Sequence, residues 1–330
     1  MASPGPRNLI TDVSGLTVGN AEDAHVKTGS TVVLVERPST AAVSVVGGGP
    51  GTRETDLLKA GMLVQKVDAI TFSGGSAFGL AAADGVTAEL CASGRGFGLM
   101  DLPGVPKTPI VPAAILYDLA NGGDKEWGST PPYGNLGRAA FRDAGADFKL
   151  GAAGAGFGAR AGQHPGGLGS ASWRTDDGYT VGALVAVNCF GSVLVPGTDC
   201  FWAGPFEIDD EFGGRSLPPG YRILPEDWGE AKLNPQPGQN TTIACVATDA
   251  PLTASETQRM SDMAIAGLAR AIRPVFAPVD GDVVFALSVS DAPAEGQDAI
   301  TVSRLGELAA GCLARAVARG VWEARSDRTG

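Results

Sequence analysis

The sequence is poor in histidine, in charge and in long apolar runs, and each shortage excludes a class of protein. Only two of the 330 residues are histidines, His25 and His164, so a His-rich zinc site is excluded. No G-x-S-x-G motif supports a Ser-His-Asp triad around either. Charged residues make up 18% of the chain, with 36 acidic against 25 basic. This acidic balance lacks the footprint of a nucleic-acid binder, so no nucleic-acid partner is expected.

Signals for membranes and for secretion are also missing. No apolar run approaches the roughly 18 residues of a membrane helix. The first six residues carry neither a basic region nor an apolar signal core. The five cysteines are odd in number and form no C-x-x-C pair, as is typical of free thiols in a reducing compartment. We therefore expect a soluble, cytoplasmic protein with no membrane partner.

Glycine, by contrast, is abundant, with 48 residues. It clusters at residues 47–51, 74–75, 151–158 and 166–169, which predicts tight turns and close backbone approaches. The first cluster lacks the lysine of a phosphate-binding loop, and residues 154–158 match only part of a dinucleotide fingerprint. A nucleotide site is therefore disfavoured at both places, and a tight turn is the simpler interpretation.

Hydrophobic periodicity predicts a mixed α/β protein. The predicted strands cover residues 30–35, 41–46, 68–72, 179–187, 242–246 and 283–289. Helices are predicted from residue 76, from a Thr253–Glu256 capping box to about residue 272, and over residues 301–319. The proline-rich stretch 205–239 is predicted to be a long exposed connection.

Two short motifs suggest chemistry. Asn240-Thr241-Thr242 follows the proline-rich stretch and is compatible with a loop end or with self-cleavage. A glycosylation sequon is disfavoured because nothing in the sequence suggests secretion. A threonine can attack its own preceding carbonyl and become an N-terminus whose α-amino group then serves as the base for its hydroxyl. Asp280-Gly281-Asp282 places two carboxylates on one face of a strand, unless it is only a solvated turn.

These motifs stand among others in an order that resembles the DmpA-type family of self-processing peptidases. That family includes L-aminopeptidase/D-esterases, β-peptidyl aminopeptidases and 6-aminohexanoate-oligomer hydrolases. The resemblance covers nearly the whole chain. Its further carriers are the stretches 11–19 (TDVSGLTVG), 50–56 (PGTRETD), 74–80 (GGSAFGL), 166–172 (GGLGSAS) and 181–188 (VGALVAVN).

The resemblance implies an α/β (α+β) fold, a four-layer αββα sandwich of N-terminal-nucleophile-hydrolase-like architecture. Residues 1–330 would form a single domain, cut between Asn240 and Thr241 into subunits 1–240 and 241–330. It implies Thr241 as nucleophile, with Asp280 and Asp282 hydrogen-bonded to its hydroxyl and amino groups.

Further residues acquire roles by the same resemblance. Asn188 would bind the oxyanion, and Tyr117 would line the pocket and assist. The Gly74-Gly75-Ser76 turn is expected to bring backbone N–H groups near the site, and Asp118 is a candidate receptor for the substrate ammonium. Gln163 stands where nylon-oligomer hydrolases carry a lysine, which leaves substrate choice open. No metal and no organic cofactor are implied.

The expected function is hydrolysis of amide bonds in short peptides or linear ω-amino-acid oligomers through an acyl-enzyme. Two alternatives stay open, namely acyl transfer to an amine and a binding or structural relative without catalysis. A homo-oligomer of processed pairs is expected. We also predict that at least two glycine clusters lie within contact distance of Thr241.

Overall fold

A computed structural model describes residues 2–59, 61–64, 66–98, 102–224, 226, 228–232, 240–290 and 292–326. The strands are β1 (Leu16–Asp23), β2 (Thr28–Val45), β3 (Thr52–Arg53), β4 (Lys66–Ser73), β5 (Ala113–Ile115), β6 (Arg160–Ala161), β7 (His164–Pro165), β8 (Gly167–Arg174), β9 (Thr180–Asn188), β10 (Thr241–Thr248) and β11 (Val283–Ser288). The α-helices are α1 (Ala81–Ala92), α2 (Tyr133–Asp143), α3 (Ala254–Ala271) and α4 (Ala299–Ser326). The fold is therefore mixed α/β, as predicted.

One large sheet organises the molecule, with strand order β3-β5-β4-β2-β11-β10-β9-β8 and β1 also paired to β2. Strand β2 is shared by two halves of this sheet, because its first part pairs with β1 and β4 and its last part with β11. Its register against β4 shifts between Leu34 and Ser39, around Pro38, which cannot donate a ladder hydrogen bond. The two strands predicted at residues 30–35 and 41–46 are thus one irregular strand.

Three hydrophobic clusters pack against this sheet. The first joins α3 and α4 to β9 and β10, and the third joins α1 and α2 to β1, β2 and β4. The second is built mainly from strands of both halves, where the rings of Phe72 and Phe285 lie 6.4 Å apart. Along β10 the side chains alternate between clusters, with Cys245 in the second and Val246 in the first. Separate clusters thus join each helix pair to the sheet, while the four-layer αββα arrangement stays a prediction.

Local signals predicted the C-terminal elements well. Helix α3 begins after Thr253, whose hydroxyl accepts from the Glu256 N–H while the Glu256 carboxylate accepts from the Thr253 N–H at 2.8 Å. The helix predicted from residue 76 begins as a 3-10 helix over Ser76–Leu80 before α1. Among the described residues, no helix is long and apolar enough to cross a membrane.

The prediction of an exposed connection over residues 205–239 is wrong for part of that stretch. Phe212 and Ala231 are buried. Phe212 packs edge-on against Phe201, with ring centroids 5.3 Å apart, because its side chain fills the first cluster. Residues 233–239 lie outside the described residues.

Candidate active site

Thr241 is the first residue of β10, the strand that pairs with β11. It is 2% exposed, and its Oγ1 donates a hydrogen bond to the carbonyl oxygen of Asn240. The same carbonyl oxygen accepts from the Gly281 N–H at 2.9 Å. The hydroxyl of the predicted nucleophile and a backbone donor therefore meet at the carbonyl of the predicted cleavage bond.

Gly281 is required at this point because of the space available. A Cβ on it would lie 2.8 Å from Thr241 Oγ1 and 2.6 Å from the Gly49 carbonyl oxygen. The Gly49 N–H in turn donates to the Asp280 carbonyl oxygen at 2.7 Å. Glycine thus lets the Asp280–Asp282 turn approach both Thr241 and the glycine cluster at residues 47–51.

Asp280 and Asp282 come together beside Thr241, because β10 and β11 are parallel neighbours and Asn240 pairs with Asp280 just before them. Each carboxylate is 1% exposed. Asp282 accepts from the Thr242 N–H at 2.7 Å and Asp280 from the Phe190 N–H at 2.9 Å. These bonds go to backbone N–H groups near Thr241, so direct contact with its own hydroxyl and amino groups stays a prediction.

Burial changes the proton affinity of this pair. It raises the pKa of Asp282 to about 7, with a further contribution from the negative charge of Asp280. Burial also raises the pKa of Asp280 above its ordinary value, although the N–H groups of Phe190 and Ala277 oppose the shift. A buried carboxyl group whose pKa is raised towards neutrality is suited to acid–base work.

Asn188 ends β9 directly opposite Thr241 in the strand register. Its side-chain oxygen accepts from the Arg160 N–H at 2.9 Å, and its Nδ2 donates to the Tyr117 carbonyl oxygen at 3.1 Å. The structure thus brings Asn188 and Tyr117 to Thr241, with Tyr117 contributing its backbone. Oxyanion binding by Asn188 and a role for the Tyr117 hydroxyl stay predictions.

The Gly74-Gly75-Ser76 turn lies beside Tyr117 but does not offer its N–H groups to the site. They donate to the Gly29 carbonyl, the Asp118 carboxylate and the Leu116 carbonyl, all at 3.0 Å or less. Gly75 has a φ of +86°, a left-handed conformation that suits glycine. Each of these N–H groups already has an acceptor, and the expected role of the turn near the site stays a prediction.

Asp118 is 2% exposed, and both its oxygens have partners: the Gly75 N–H at 2.7 Å and the Thr28 hydroxyl at 2.6 Å. Burial raises the pKa of this carboxyl above its ordinary value. These contacts favour a role in holding the turn. The role of Asp118 as receptor of the substrate ammonium stays a prediction.

The glycine clusters divide between the site and the packing of the fold. Cluster 47–51 reaches Thr241 through Gly281. Gly167 and Gly169 instead let β8 approach α4 closely, where added Cβ atoms would lie about 2 Å from the carbonyl oxygens of Gly320 and Ala316. Gly74 and Gly158 border the Asp118 carboxylate. Among the described glycines, cluster 47–51 adjoins the Gly281 turn beside Thr241, and contact of a second cluster with Thr241 stays a prediction.

Sequence analysis missed Lys232, which reaches the site from the proline-rich connection. Its Nζ donates to the Asn188 carbonyl oxygen at 3.0 Å. Gln163 holds the segment before it, through a hydrogen bond from Nε2 to the Gly229 carbonyl oxygen at 2.7 Å. A single lysine in a polar stretch carries no pattern, so no sequence signal identified it.

No group of three or more histidine, cysteine or acidic side chains suited to a metal ion occurs within the described ranges. The Thr241 environment is instead built from a hydroxyl, two carboxylates, an amide and an ammonium group. Such a set can attack a carbonyl, stabilise an oxyanion and move protons.

Comparison with known proteins agrees with this chemistry. An uncharacterized aminopeptidase of Mycobacterium tuberculosis (strain H37Rv) is 42% identical over 340 residues, covering 96% of this chain and 94% of the relative. A 6-aminohexanoate-oligomer endohydrolase of Kocuria sp. is 28% identical over 302 residues, covering 88% of this chain and 77% of the relative.

Solved structures show the same fold. The Burkholderia sp. beta-aminopeptidase matches with a TM-score of 0.69 and 22% identity, covering 97% of this chain and 88% of that one. The L-aminopeptidase D-Ala-esterase/amidase of Ochrobactrum anthropi, described as a variant among the Ntn hydrolase fold, also has a TM-score of 0.69, with 20% identity over 98% of this chain and 88% of that one.

The fold, the site and these relatives define a hydrolase of peptide or amide bonds. A model of peptidase family S58 matches residues 8–329, and the chain belongs to that family. This confirms the resemblance to the DmpA-type peptidases found from the sequence motifs.

Proposed function

We propose that this chain is a self-processing amidohydrolase whose nucleophile is the N-terminal threonine created by cleavage between Asn240 and Thr241. One observation carries the proposal: the Thr241 hydroxyl and the Gly281 N–H both donate to the Asn240 carbonyl oxygen, the latter at 2.9 Å. Two buried carboxylates flank this point. Together they place a hydroxyl, an oxyanion donor and proton acceptors around one peptide bond.

Self-cleavage begins with attack of Thr241 Oγ1 on the Asn240 carbonyl carbon. The new C–O bond forms, and the oxyanion accepts a hydrogen bond from the Gly281 N–H. The peptide C–N bond then breaks. The hydroxyl proton ends on the Thr241 nitrogen, with the Asp280–Asp282 pair as the route. Water hydrolyses the resulting ester, restores the hydroxyl and leaves a carboxylate on Asn240.

Substrate hydrolysis repeats this chemistry with the new α-amino group as the base. Its unperturbed pKa of roughly 7.7–8.0 suits proton transfer near neutral pH. Thr241 forms an ester with the substrate acyl group, the amine leaves, and water releases the acid. We assign the oxyanion of this reaction to Asn188, which pairs with Thr241 in the sheet.

The proposed substrates are short peptides with a free amino terminus and linear ω-amino-acid oligomers such as those of 6-aminohexanoate. Relatives named as aminopeptidase and as 6-aminohexanoate-oligomer endohydrolase support both classes. The proposal includes a cytoplasmic location and a homo-oligomer of processed pairs. Cell fractionation and light scattering of the purified protein test these two points.

Three variants test the proposal, with Thr242 as the matched control. Thr241→Ala should abolish cleavage on a denaturing gel and release of amine from substrate, whereas Thr241→Ser should keep both. Thr242→Ala should still cleave, because the Thr242 contact with Asp282 comes from its backbone N–H. A Thr241→Ala protein that is still cut and active would refute the proposal.

The substrate panel separates the classes. It contains a dipeptide, its N-acetylated form and the linear 6-aminohexanoate dimer, each with and without hydroxylamine. Preference for the dipeptide over its acetylated form supports an aminopeptidase, and turnover of the 6-aminohexanoate dimer supports an oligoamide hydrolase. Hydroxamate formation that exceeds free acid would favour acyl transfer instead.

A further inference from the structure

The connection that leads to the predicted cleavage site is anchored at Lys232. The Lys232 N–H donates to the Phe190 carbonyl oxygen at 2.9 Å, which extends the pairing just beyond β9. Its Nζ donates to Asn188 twice, to the carbonyl oxygen at 3.0 Å and to the side-chain oxygen at 3.4 Å. One ammonium group thus holds both the backbone and the amide of the residue opposite Thr241.

The segment before Lys232 is clamped by the β6–β7 hairpin. The Gln163 side chain donates to the Gly229 carbonyl oxygen at 2.7 Å, and its N–H donates to the Glu230 carbonyl oxygen at 3.1 Å. His164 Nε2 lies 3.0 Å from the Glu230 carboxylate. Since three bonds hold two consecutive residues, the hairpin fixes where Lys232 enters the site.

Strand geometry also directs the nitrogen of Thr241 towards Asn188. The Thr242 N–H donates to Asp282, on the β11 side of β10. Successive N–H groups of a strand point to opposite sides, so the Thr241 N–H points to β9 and its register partner Asn188. The Thr241 nitrogen and the Lys232 ammonium group therefore both face the Asn188 end of β9.

We propose that Lys232 is a positioning residue of the active site, which fixes the Asn188 amide and supplies positive charge beside the α-amino group of cleaved Thr241. This inference rests on the proposed function, because it takes Thr241 as the processed nucleophile. Lys232 acts through Asn188 and through its electric field, without contact with the substrate.

The charge has a defined effect on the base. The α-amino group must be uncharged to accept a proton, and a neighbouring cation disfavours its protonated form. The charged or titratable groups that face Lys232 are Asp280, Asp282, Arg160 and Cys189. Burial lowers the pKa of Lys232 to about 8, so the ammonium form predominates at pH 7.

Lys232→Met removes the charge, and Lys232→Arg keeps it. The exposed Lys149 provides the matched control, Lys149→Met. We expect Lys232→Met to lower kcat about ten-fold or more and to move the acidic limb of kcat/KM upward by about one pH unit. Lys232→Arg should keep the acidic limb within a few tenths of a pH unit of the parent's. Lys149→Met should have the kcat and the pH profile of the parent.

Gln163→Ala is the second variant, since it loosens the clamp and leaves the lysine in place. It should move the acidic limb in the same direction as Lys232→Met, by less. If Lys232→Met folds but is not cleaved, cleavage of Lys232→Arg supports the proposal, and absence of cleavage in both overturns it. If Lys232→Met does not fold, the acidic limb of kcat/KM in Gln163→Ala decides. An upward shift supports the proposal, and an unshifted limb overturns it.

Sequencing of the small fragment separates the two proposals. If the parent fragment does not begin at Thr241, the proposed function fails and this inference with it. If it does begin there, and the charge-removing and clamp variants keep the parent's pH profile and kcat, Lys232 has no positioning role while the proposed function stands. A lower rate at every pH with an unshifted limb would also overturn the electrostatic part.

Discussion

The buried carboxylate pair predicts an unusual dependence of stability on pH, which Asp282→Asn isolates. The pKa of Asp282 in the folded chain is raised to about 7, against an ordinary value of 3.8. The neutral form of Asp282 therefore contributes its full stability below the pKa that the residue has in the unfolded chain. This contribution is lost as the pH rises through about 7. Because the unfolded chain ionises first, the folded protein becomes less stable as the pH rises.

The magnitude follows from the same pKa. Each pKa unit corresponds to about 1.4 kcal/mol, so the full loss above pH 7 is about 4 kcal/mol. About 3 kcal/mol of this develops between pH 5 and pH 8. In Asp282→Asn the amide oxygen can still accept from the Thr242 N–H, but the pH-dependent loss disappears.

The assay is urea unfolding followed by circular dichroism at pH 5, 6.5 and 8. Thr241→Ala serves as the background, so that every sample is one uncut chain. We expect the free energy of unfolding of Asp282→Asn to gain about 3 kcal/mol on its parent from pH 5 to pH 8. A constant difference between the two across this range would refute the reasoning that Asp282 is buried in a neutral form.

Three other changes test separate parts of the site. Asn188→Ala should lower kcat about 100- to 1,000-fold in a substrate assay, because it removes the proposed oxyanion donor. Gly281→Ala should block cleavage on a gel, since its Cβ would lie 2.8 Å from Thr241 Oγ1. Arg315→Met should lower the free energy of unfolding by about 2 to 3 kcal/mol in urea, because the Glu211 carboxylate loses the Arg315 guanidinium at 2.9 Å and keeps Asn8 and the more distant Arg319.

Controls for these changes come from the same chain. Gly311→Ala in α4 should be cleaved normally, because the atom nearest its Cβ is Trp173 Nε1 at 3.8 Å. Glu211→Gln combined with Arg315→Met should cost less stability than the sum of the two single changes, because both changes remove the same ion pair. Normal cleavage of Gly281→Ala would contradict the close approach of this turn to Thr241.

Elements fixed by local sequence were the most predictable. The capping box at Thr253 determines where α3 begins, and the β-branched, apolar residues of β9 and β10 suit strands buried on both faces. The prediction that Asp280 and Asp282 lie beside Thr241 came from family resemblance. Its physical basis is that parallel β10 and β11 begin side by side, a long-range contact that no local pattern contains.

The contacts that sequence analysis missed depend on the folded backbone. The sequence analysis gave Gly281 no role, whereas its N–H donates to the Asn240 carbonyl oxygen. Lys232 and Glu211 lie in a stretch predicted to be exposed, yet they reach Asn188 and Arg315. These partners are 44 and 104 residues away along the chain, so composition and periodicity could not reveal them.

The most direct test of the central claim is the N-terminal sequence of the smaller fragment, taken from purified protein after denaturing electrophoresis. Cleavage at the Asn240–Thr241 bond predicts the sequence Thr-Thr-Ile-Ala-Cys. It also predicts a larger fragment whose mass is that of a chain ending at Asn240. A single full-length chain that hydrolyses amides, or a fragment that begins at any other residue, would contradict Thr241 as an N-terminal nucleophile.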